Sequence, residues 1–568
     1  MQQKRSFIQS IKDCWYLAKP YWASEDKYKA IGLVSVVITL NLLSVYVSVL
    51  FNKWNNKFYD AIQKFDKESF YHLLVQFTYY AFTAIALAVF AYWVRKMLEI
   101  RWRKWITQYY IANWLDEYAY YKTRFITDYA DNPDQRISQD LSAFIVTVLD
   151  LTLGFISNLV SLFSFVFILY SLSGPLVFSL FGEKFSLSGY MVWVALAYAA
   201  IGTLITFILG RPLIKLNYQQ ENVEADFRFG LMRVREYSES IAFYNGEKQE
   251  KISLNNKFNS VIANFLAIVY RQMKLDVFNV GYSQLAIIFP ILVAAPRYFA
   301  KQIQLGDLMQ IASAFGRVQD ALSFFINSYG SLASLRAIMD RMYGFQVSID
   351  SAKELPVIKV SPLSNLHSIK VDNLTLFLPD HSILHENIAF TLNSGNRILI
   401  KGNSGSGKTT LLRTIAGLWP YASGALAKNL TSQEMFIGQR AYVPDTTLEE
   451  ALFYPKPIDT GKLAELHEIL NQVGLARLLE SLMIKNDWSK ILSLGEQQRL
   501  AFARILINKP EIIYLDEATS AVDEAMEEVL YGLLLTQLPQ SIIISVGHRS
   551  TLAKWHGLVY DFNDKEIA

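Results

Sequence analysis

The chain has 568 residues, room for several domains, and 52% of them are hydrophobic, 14% aromatic and only 18% charged. That balance excludes an ordinary soluble enzyme and points to a membrane. A net charge of +3 is too small at this length to argue for nucleic acid, and a single cysteine, Cys14, excludes an internal disulfide or a cysteine-built metal cluster.

Residues Met1 to Lys29 carry charges and aromatics without the apolar core and small-residue cleavage site of a signal peptide, so a cytosolic start is expected. Ala30 to Leu50 is the first almost uncharged run of about 20 residues, the length a helix needs to cross a bilayer. Leu73 to Val94, Phe144 to Tyr170, Ser188 to Leu209 and Val277 to Ala295 are comparable. A sixth, Leu308 to Leu332, is more polar. Its Gln310, Ser313, Arg317, Asp320 and Asn327 recur at three- and four-residue steps on one helical face, with Phe315, Leu322 and Phe325 elsewhere. A charged face on a membrane helix looks at water or protein, so Arg317 and Asp320 either line a translocation path or form a packed structural contact.

The spacers differ in length. Arg95 to Ala143 and Arg211 to Asp276 are long, polar and poor in glycine and proline, which predicts helical arms running on into the cytosol. The cations Arg95, Lys96, Arg101, Arg103, Lys104, Arg211 and Lys215 put those span ends inside. Reversals are expected at Asp131-Asn132-Pro133 and at Asn245-Gly246. The membrane domain is thus set at residues 30–345, and Gln346 to Leu366, with proline and serine but no periodicity, is read as a linker.

From His367 to the end, at residues 367–568, short β-rich runs alternate with helical ones, the pattern of an α/β domain with a largely parallel sheet. Arg397 to Lys401 leads into Gly402-Asn403-Ser404-Gly405-Ser406-Gly407-Lys408-Thr409-Thr410 and then a helical run, a strand–loop–helix that fits G-x-x-x-x-G-K-[ST]. Its glycines turn backbone N–H groups around phosphate oxygens, Lys408 reaches the β- and γ-phosphates, and the Thr409 hydroxyl is a natural Mg²⁺ ligand. Further on, Ile512 to Glu517 is a buried strand ending in two acids. Asp516 is suited to hold Mg²⁺ and Glu517 to orient and deprotonate an attacking water. Gln439, an uncharged group able to touch both Mg²⁺ and water, follows Met435 to Gly438, and His548 follows the apolar strand Ser541 to Val546.

With Leu492-Ser493-Leu494-Gly495-Glu496-Gln497-Gln498 and Ser520-Ala521-Val522-Asp523, these residues resemble the ATPase domain of the ABC transporters, in motif order: Walker A, Q-loop, signature, Walker B, D-loop and switch histidine. Leu494 and Glu496 depart from the commonest signature, and Val522 stands where leucine is usual. The resemblance implies that Phe377 stacks on adenine, unless it is a core residue, and that Ser493, Gly495 and Glu496 bind the nucleotide held by a second copy. Leu492 to Arg499, Ser545 to Arg549, Gly417 to Pro420 and membrane-half segments such as Asn52-Lys53-Trp54-Asn55 and Glu224 to Phe229 are similar to the branch holding peroxisomal acyl-CoA transporters and bacterial cobalamin, bleomycin and antimicrobial-peptide transporters.

The expected fold is therefore a six-helix, all-α transmembrane domain of ABC exporter type followed by an α/β P-loop ATPase domain. The expected function is ATP-driven transport of a bulky hydrophilic solute by a homodimer in the bacterial inner membrane, with the ATPase domain in the cytoplasm and ATP and Mg²⁺ bound. Lipid or acyl-CoA transport, and a membrane-anchored ATPase that drives a partner without moving a solute, are the alternatives. The resemblance also implies that the arms near Asp131-Asn132-Pro133 and Tyr244-Asn245-Gly246 dock on the ATPase domains.

Overall fold

The computed structural model describes residues 7–126, 132–180, 183–356, 358, 360–362, 368–403, 405–429, 431–562 and 566–567. Ser404, Asp131 and His367, and the side chains of Phe325 and Asn327, lie outside the described residues. Two compact units result, one of residues 1–113 and 130–347, the other of 114–129 and 348–568.

In the first unit, a short helix α1 (Phe7–Trp22) precedes α2 (Lys27–Gln63) and α3 (Lys67–Leu115). Next come α4 (Leu141–Ser173), a hairpin of β1 (Pro175–Leu180) and β2 (Glu183–Ser188), α5 (Tyr190–Glu236), α6 (Ser238–Phe243), α7 (Glu247–Phe299) and α8 (Leu305–Glu354). Five helices, those carrying the first five predicted spans, are long and apolar enough to cross a membrane. The sixth predicted span falls within the more polar α8, which is not among those five. Its first turns are tied to α2 by polar groups that satisfy one another: Gln310 Nε2 donates to Asn52 Oδ1 at 3.0 Å, Asn52 Nδ2 to the Gln310 carbonyl at 3.2 Å, and Asn56 Nδ2 to Asp307 at 2.8 Å. Such reciprocal pairing is what keeps buried amides tolerable between apolar helices.

The described parts of both long excursions are mainly helical, and the reversal at Asn245 is real: Asn245 has a φ of 50°. The first reversal begins earlier than Asp131-Asn132-Pro133. α3 ends at Leu115, short helical turns cover Asp116–Phe125, and helix resumes at Pro133. The linker is also shorter than the sequence suggested. Phe345, Ile349 and Ala352 sit at helical spacing and are buried, so α8 runs to Glu354, while Val360–Pro362 already pairs in parallel with the strand Ala422–Lys428.

In the second unit, β3 (Val360–Pro362), β4 (Ser368–Phe377), β5 (Ile383–Asn393) and β7 (Ala422–Lys428) form a four-stranded sheet in the order β3-β7-β4-β5. The second sheet contains β6 (Arg397–Lys401), β8 (Glu434–Ile437), β9 (Ile512–Asp516), β10 (Ile542–Val546), β11 (Leu558–Asp561) and β12 (Glu566–Ile567), ordered β12-β11-β6-β10-β9-β8. Strands β11, β6, β10, β9 and β8 are mutually parallel. Isoleucine and leucine runs such as Ile542–Val546, buried throughout, are what a strand covered on both faces requires. Helices α9 (Lys408–Ile415), α10 (Leu494–Asn508) and α11 (Glu524–Gln537) complete the elements that carry the motifs.

Candidate functional site

In an open parallel sheet, ligands bind beyond the carboxyl ends of the strands. Here the loops after β6, β8, β9 and β10 carry Gly402–Lys408, Gln439, Glu517 and His548. Adjacency in the sheet therefore gathers residues that are far apart in sequence.

The loop after β6 has positive φ at Gly402, Gly405 and Gly407, of 146°, 82° and 103°. A Cβ at Gly407 would lie 2.7 Å from Leu384, and one at Gly402 would lie 2.7 Å from Phe562, so both strain and crowding demand glycine there. Lys408 Nζ donates to the Gly402 and Asn403 carbonyls at 2.8 and 2.7 Å, bridging its own loop. Burial lowers the Lys408 ammonium below its usual pKa, against the charges of Glu517 and Asp516. The buried Ser406 hydroxyl has no hydrogen-bond partner among the described residues, the condition of a donor aimed at an oxyanion. Thr410 lies one residue beyond Thr409 in the first turn of α9.

Thr409 Oγ1 donates to Asp516 Oδ1 at 3.0 Å. Burial raises the Asp516 carboxyl above its ordinary value and the Glu517 charge adds to this, opposed by Thr409, Arg413 and Lys408. Among the described residues no group of three His, Cys, Asp or Glu side chains forms a metal site by itself. The hard oxygens of Thr409 and Asp516 instead fit a cation such as Mg²⁺, which takes one or two protein ligands and the rest from phosphates and water.

Glu517 is in the left-handed region at a φ of 52°, a strained state of order 1–3 kcal/mol for a residue with a Cβ. Its N–H is held by the Val546 carbonyl at 3.0 Å. That conformation aims the carboxylate between two neighbours: Gln439 Nε2 donates to Oε2 at 3.3 Å, and His548 Nε2 lies 3.5 Å from Oε1. The sequence-predicted trio of Gln439, Glu517 and His548 is thus one cluster.

Phe377 is at the end of β4, partly buried, with its N–H on the Tyr421 carbonyl and its own carbonyl accepting from Trp419 Nε1 at 3.1 Å. It pairs with Ile383, and the next residue, Leu384, is the one crowding Gly407, so the β4–β5 turn lies beside the phosphate loop.

The signature forms a separate constellation at the start of α10. Ser493 and Glu496 make a reciprocal capping box, the Ser493 hydroxyl accepting the Glu496 N–H at 3.3 Å and Glu496 Oε2 accepting the Ser493 N–H at 3.0 Å. Burial alone would raise the Glu496 carboxyl, but bonds from Arg477 and from Ser493 outweigh it and hold it below the usual range. The unusual glutamate therefore shapes the signature turn. A Cβ on Gly495 would sit 2.8 Å from the Ala521 carbonyl, so its lack of side chain lets the D-loop approach.

Two residues without an assigned role join these parts. Gln498 is fully buried; its Nε2 donates to the Gln439 carbonyl at 2.9 Å and to Ser520 Oγ at 3.1 Å, and its Oε1 accepts the Ala521 N–H at 2.9 Å. Arg549, next to His548, donates to the carbonyls of Val522 and Ser520 and to the buried Glu527 at 3.3 Å. The sequence signal for Gln498 was its place on the apolar stripe with Ala501, Phe502 and Ile505, where an amide must find partners.

Residues 114–126 belong to the same unit. Phe125 meets Trp419 edge-on at 5.0 Å between ring centroids, and Tyr421 OH donates to the Phe125 carbonyl at 2.9 Å.

Residues 17–299 match the family described as ABC transporter transmembrane region 2, and residues 385–520 the one described as ABC transporter. An uncharacterized ABC transporter ATP-binding protein of Haemophilus influenzae is 40% identical over 98% of this chain and 93% of its own length. The inner membrane ABC transporter ATP-binding protein YddA of Escherichia coli is 33% identical over 94% of both chains. The human lysosomal cobalamin transporter ABCD4 is 26% identical over 98% of this chain and 94% of its own. Among solved structures, a bacterial Atm1-family ABC exporter with ATP bound superposes with a TM-score of 0.73 at 16% identity, covering 96% of this chain and 95% of that one, a likeness of fold. The chain belongs to the ABC transporter family, as a half-transporter with its membrane domain fused to its ATP-binding domain.

Proposed function

We propose that two identical copies of this ATP-hydrolysing translocase pump a bulky, largely hydrophilic solute across a bacterial inner membrane, with the ATPase domains in the cytoplasm. The observation that carries this is the cluster of Glu517 between Gln439 and His548, one residue from the Thr409–Asp516 pair, in a chain whose other half is membrane helices. Glu517 takes a proton from water, and His548 and Gln439 hold its carboxylate in line. Lys408, Ser406 and the N–H groups of the glycine loop bind the phosphates, and Phe377 packs on the base. Thr409, Asp516 and Gln439 would hold Mg²⁺, which supplies charge neutralisation between the phosphates when bound.

Each chain carries one phosphate loop and one signature, so Ser493, Gly495 and Glu496 complete the site of the other copy, and closure of that pair is the two-state element that ATP biases. The name of the human relative, a lysosomal cobalamin transporter, supports a cobalamin-like solute, and that of the Escherichia coli relative supports the inner membrane. One feature favours lipid or acyl-CoA instead: an apolar cavity of about 880 Å³ bordered by Trp15, Trp22, Trp102, Leu149 and Met339.

The decisive comparison uses the reconstituted full-length chain and Glu517→Gln in liposomes. ATP-dependent movement of labelled cobalamin, blocked in Glu517→Gln although ATP still binds, is the expected result. Movement of acyl-CoA alone would replace the solute class, hydrolysis without flux of any tracer would mark a force-transmitting ATPase, and undiminished turnover by Glu517→Gln would remove it as the base.

A further inference from the structure

Two cavities of the membrane unit are each bordered by an arginine and an aspartate, and they differ in how those charges are paired. The larger, about 660 Å³, is bordered by Asn41, Ser44, Ser157, Asn158 and Ser328, and its two charged residues are paired with each other, Arg95 to Asp150 at 2.5 Å. The smaller, about 400 Å³, is bordered by Asn55 of α2, Ser283 of α7 and Ser313, Arg317, Gln319 and Asp320 of α8. Here Arg317 and Asp320 are exposed, and neither makes a hydrogen bond or ion pair among the described residues; they meet only through each other's longer-range field.

The contrast with the rest of the α2–α8 seam is sharp. Two to four turns earlier, Asp307, Gln310 and Gly306 have all found partners on α2, in Asn56, Asn52 and Asp60. Arg317 and Asp320 are twelve and fifteen residues into α8, about 18 and 22 Å along it at 1.5 Å per residue. Those distances are shorter than the roughly 30 Å of a bilayer core, and an unsatisfied charge within that depth is costly and marks a pathway or ligand contact. Residues three apart on a helix hold their Cβ atoms about 5–6 Å from one another, so one face of α8 offers the cavity a guanidinium and a carboxylate side by side.

We propose that this cavity is a subsite for the zwitterionic end of the transported solute, Arg317 receiving its anionic group and Asp320 its cationic one. This rests on the pump reading above. Neighbouring charges of opposite sign suit a dipeptide, whose free amine and free carboxylate lie at most about 7 Å apart. A phosphoethanolamine headgroup offers the same chemistry from a lipid. A neutral or singly charged solute leaves one of the two side chains without a partner.

The experiment measures ATP hydrolysis and tracer uptake by the full-length chain in phosphatidylglycerol liposomes, with dialanine as probe and its N-acetylated and C-amidated forms as controls. A parallel arm replaces dialanine with phosphatidylethanolamine in the vesicle. Free dialanine should stimulate, each blocked form should need about tenfold more, and Arg317→Gln should erase the preference for a free carboxylate while Asp320→Asn erases that for a free amine. Stimulation by phosphatidylethanolamine alone, lost in both variants, upholds the subsite and names the lipid as its source. The inference is overturned if neither probe acts, if both variants respond as the parent, or if the double exchange Arg317→Asp with Asp320→Arg restores all that the single changes lose, since that marks a structural pair between copies. If labelled cobalamin or another solute is pumped while dialanine and both variants are indifferent, only this inference falls; if nothing is pumped, the pump reading falls with it.

Discussion

Replacing Gln498 by leucine removes three hydrogen bonds at once from a site with 0% exposure, those to the Gln439 carbonyl, to Ser520 Oγ and from the Ala521 N–H. Leucine is close in size, so the loss is one of polar partners and not of volume. At roughly 1 kcal/mol net for each bond, and more where a buried partner is orphaned, the change is worth about 3 kcal/mol. If that falls on the placement of Gln439 and the D-loop, turnover drops on the order of a hundredfold, because each 1.36 kcal/mol is a factor of ten. The hydrogen bonds of Gln498 among the described residues go to Gln439, Ser520 and Ala521 and not to the phosphate loop, so ATP affinity should stay within a few-fold. The assay is steady-state ATP hydrolysis by the purified chain alongside equilibrium binding of a fluorescent ATP analogue. Gln498→Glu, which keeps an acceptor for Ala521 and loses the two donated bonds, should fall in between. A leucine variant that turns over within twofold of the parent would refute the idea that this amide registers the Q-loop against the D-loop.

Two other expectations concern coupling and pH. Phe125→Ala removes an aromatic pair worth about 0.5–1.5 kcal/mol beyond burial from its seat on Trp419. ATP hydrolysis should persist while solute moved per ATP falls, and an unchanged ratio in liposomes would show that residues 114–126 transmit nothing. His556 sits in a buried relay in which Tyr531 OH donates to Ser545 Oγ, Ser545 lies 2.8 Å from His556 Nε2, and Nδ1 reaches the Leu552 carbonyl at 2.8 Å. Burial holds its pKa below 6.5; the Leu552 bond opposes this and the charges of Arg397 and Lys401 add to it. The folded state thus binds fewer protons than the unfolded one below about pH 6.5, so this stability is intact above that pH and is lost on acidification by up to about 1.4 kcal/mol per unit. The melting temperature of the solubilised chain should fall between pH 7.5 and 5.5, and less steeply in His556→Gln; parallel curves would contradict the assignment.

What the sequence disclosed and what it hid divide along a physical line. The phosphate loop was legible because its chemistry is local: Gly402, Gly405 and Gly407 need positive φ and Lys408 follows at fixed spacing. Asp516 and Glu517 were legible as a strand end, although nothing in the sequence tells that Glu517 adopts a left-handed φ to reach Gln439 and His548. The run of α8 to Glu354 was missed because serine and proline further on outweighed the buried Phe345, Ile349 and Ala352 stripe. The early reversal at Leu115 was missed because its turn uses left-handed Glu117 and Tyr118 where glycine would have signalled it. The β1–β2 hairpin, paired from Pro175 with Ser188 to Leu180 with Glu183, lies between two spans whose apolarity dominated the reading.

The central claim is that the phosphate loop of one copy and the signature of another close on a single nucleotide. With Cys14 replaced by serine, a chain carrying Ser406→Cys and a separately tagged chain carrying Ser493→Cys are co-expressed, purified together and oxidised with and without ATP. A disulfide-linked species containing both tags, promoted by ATP, is the predicted result. Failure of the two chains to cross-link, with or without nucleotide, in a preparation that still hydrolyses ATP would contradict it.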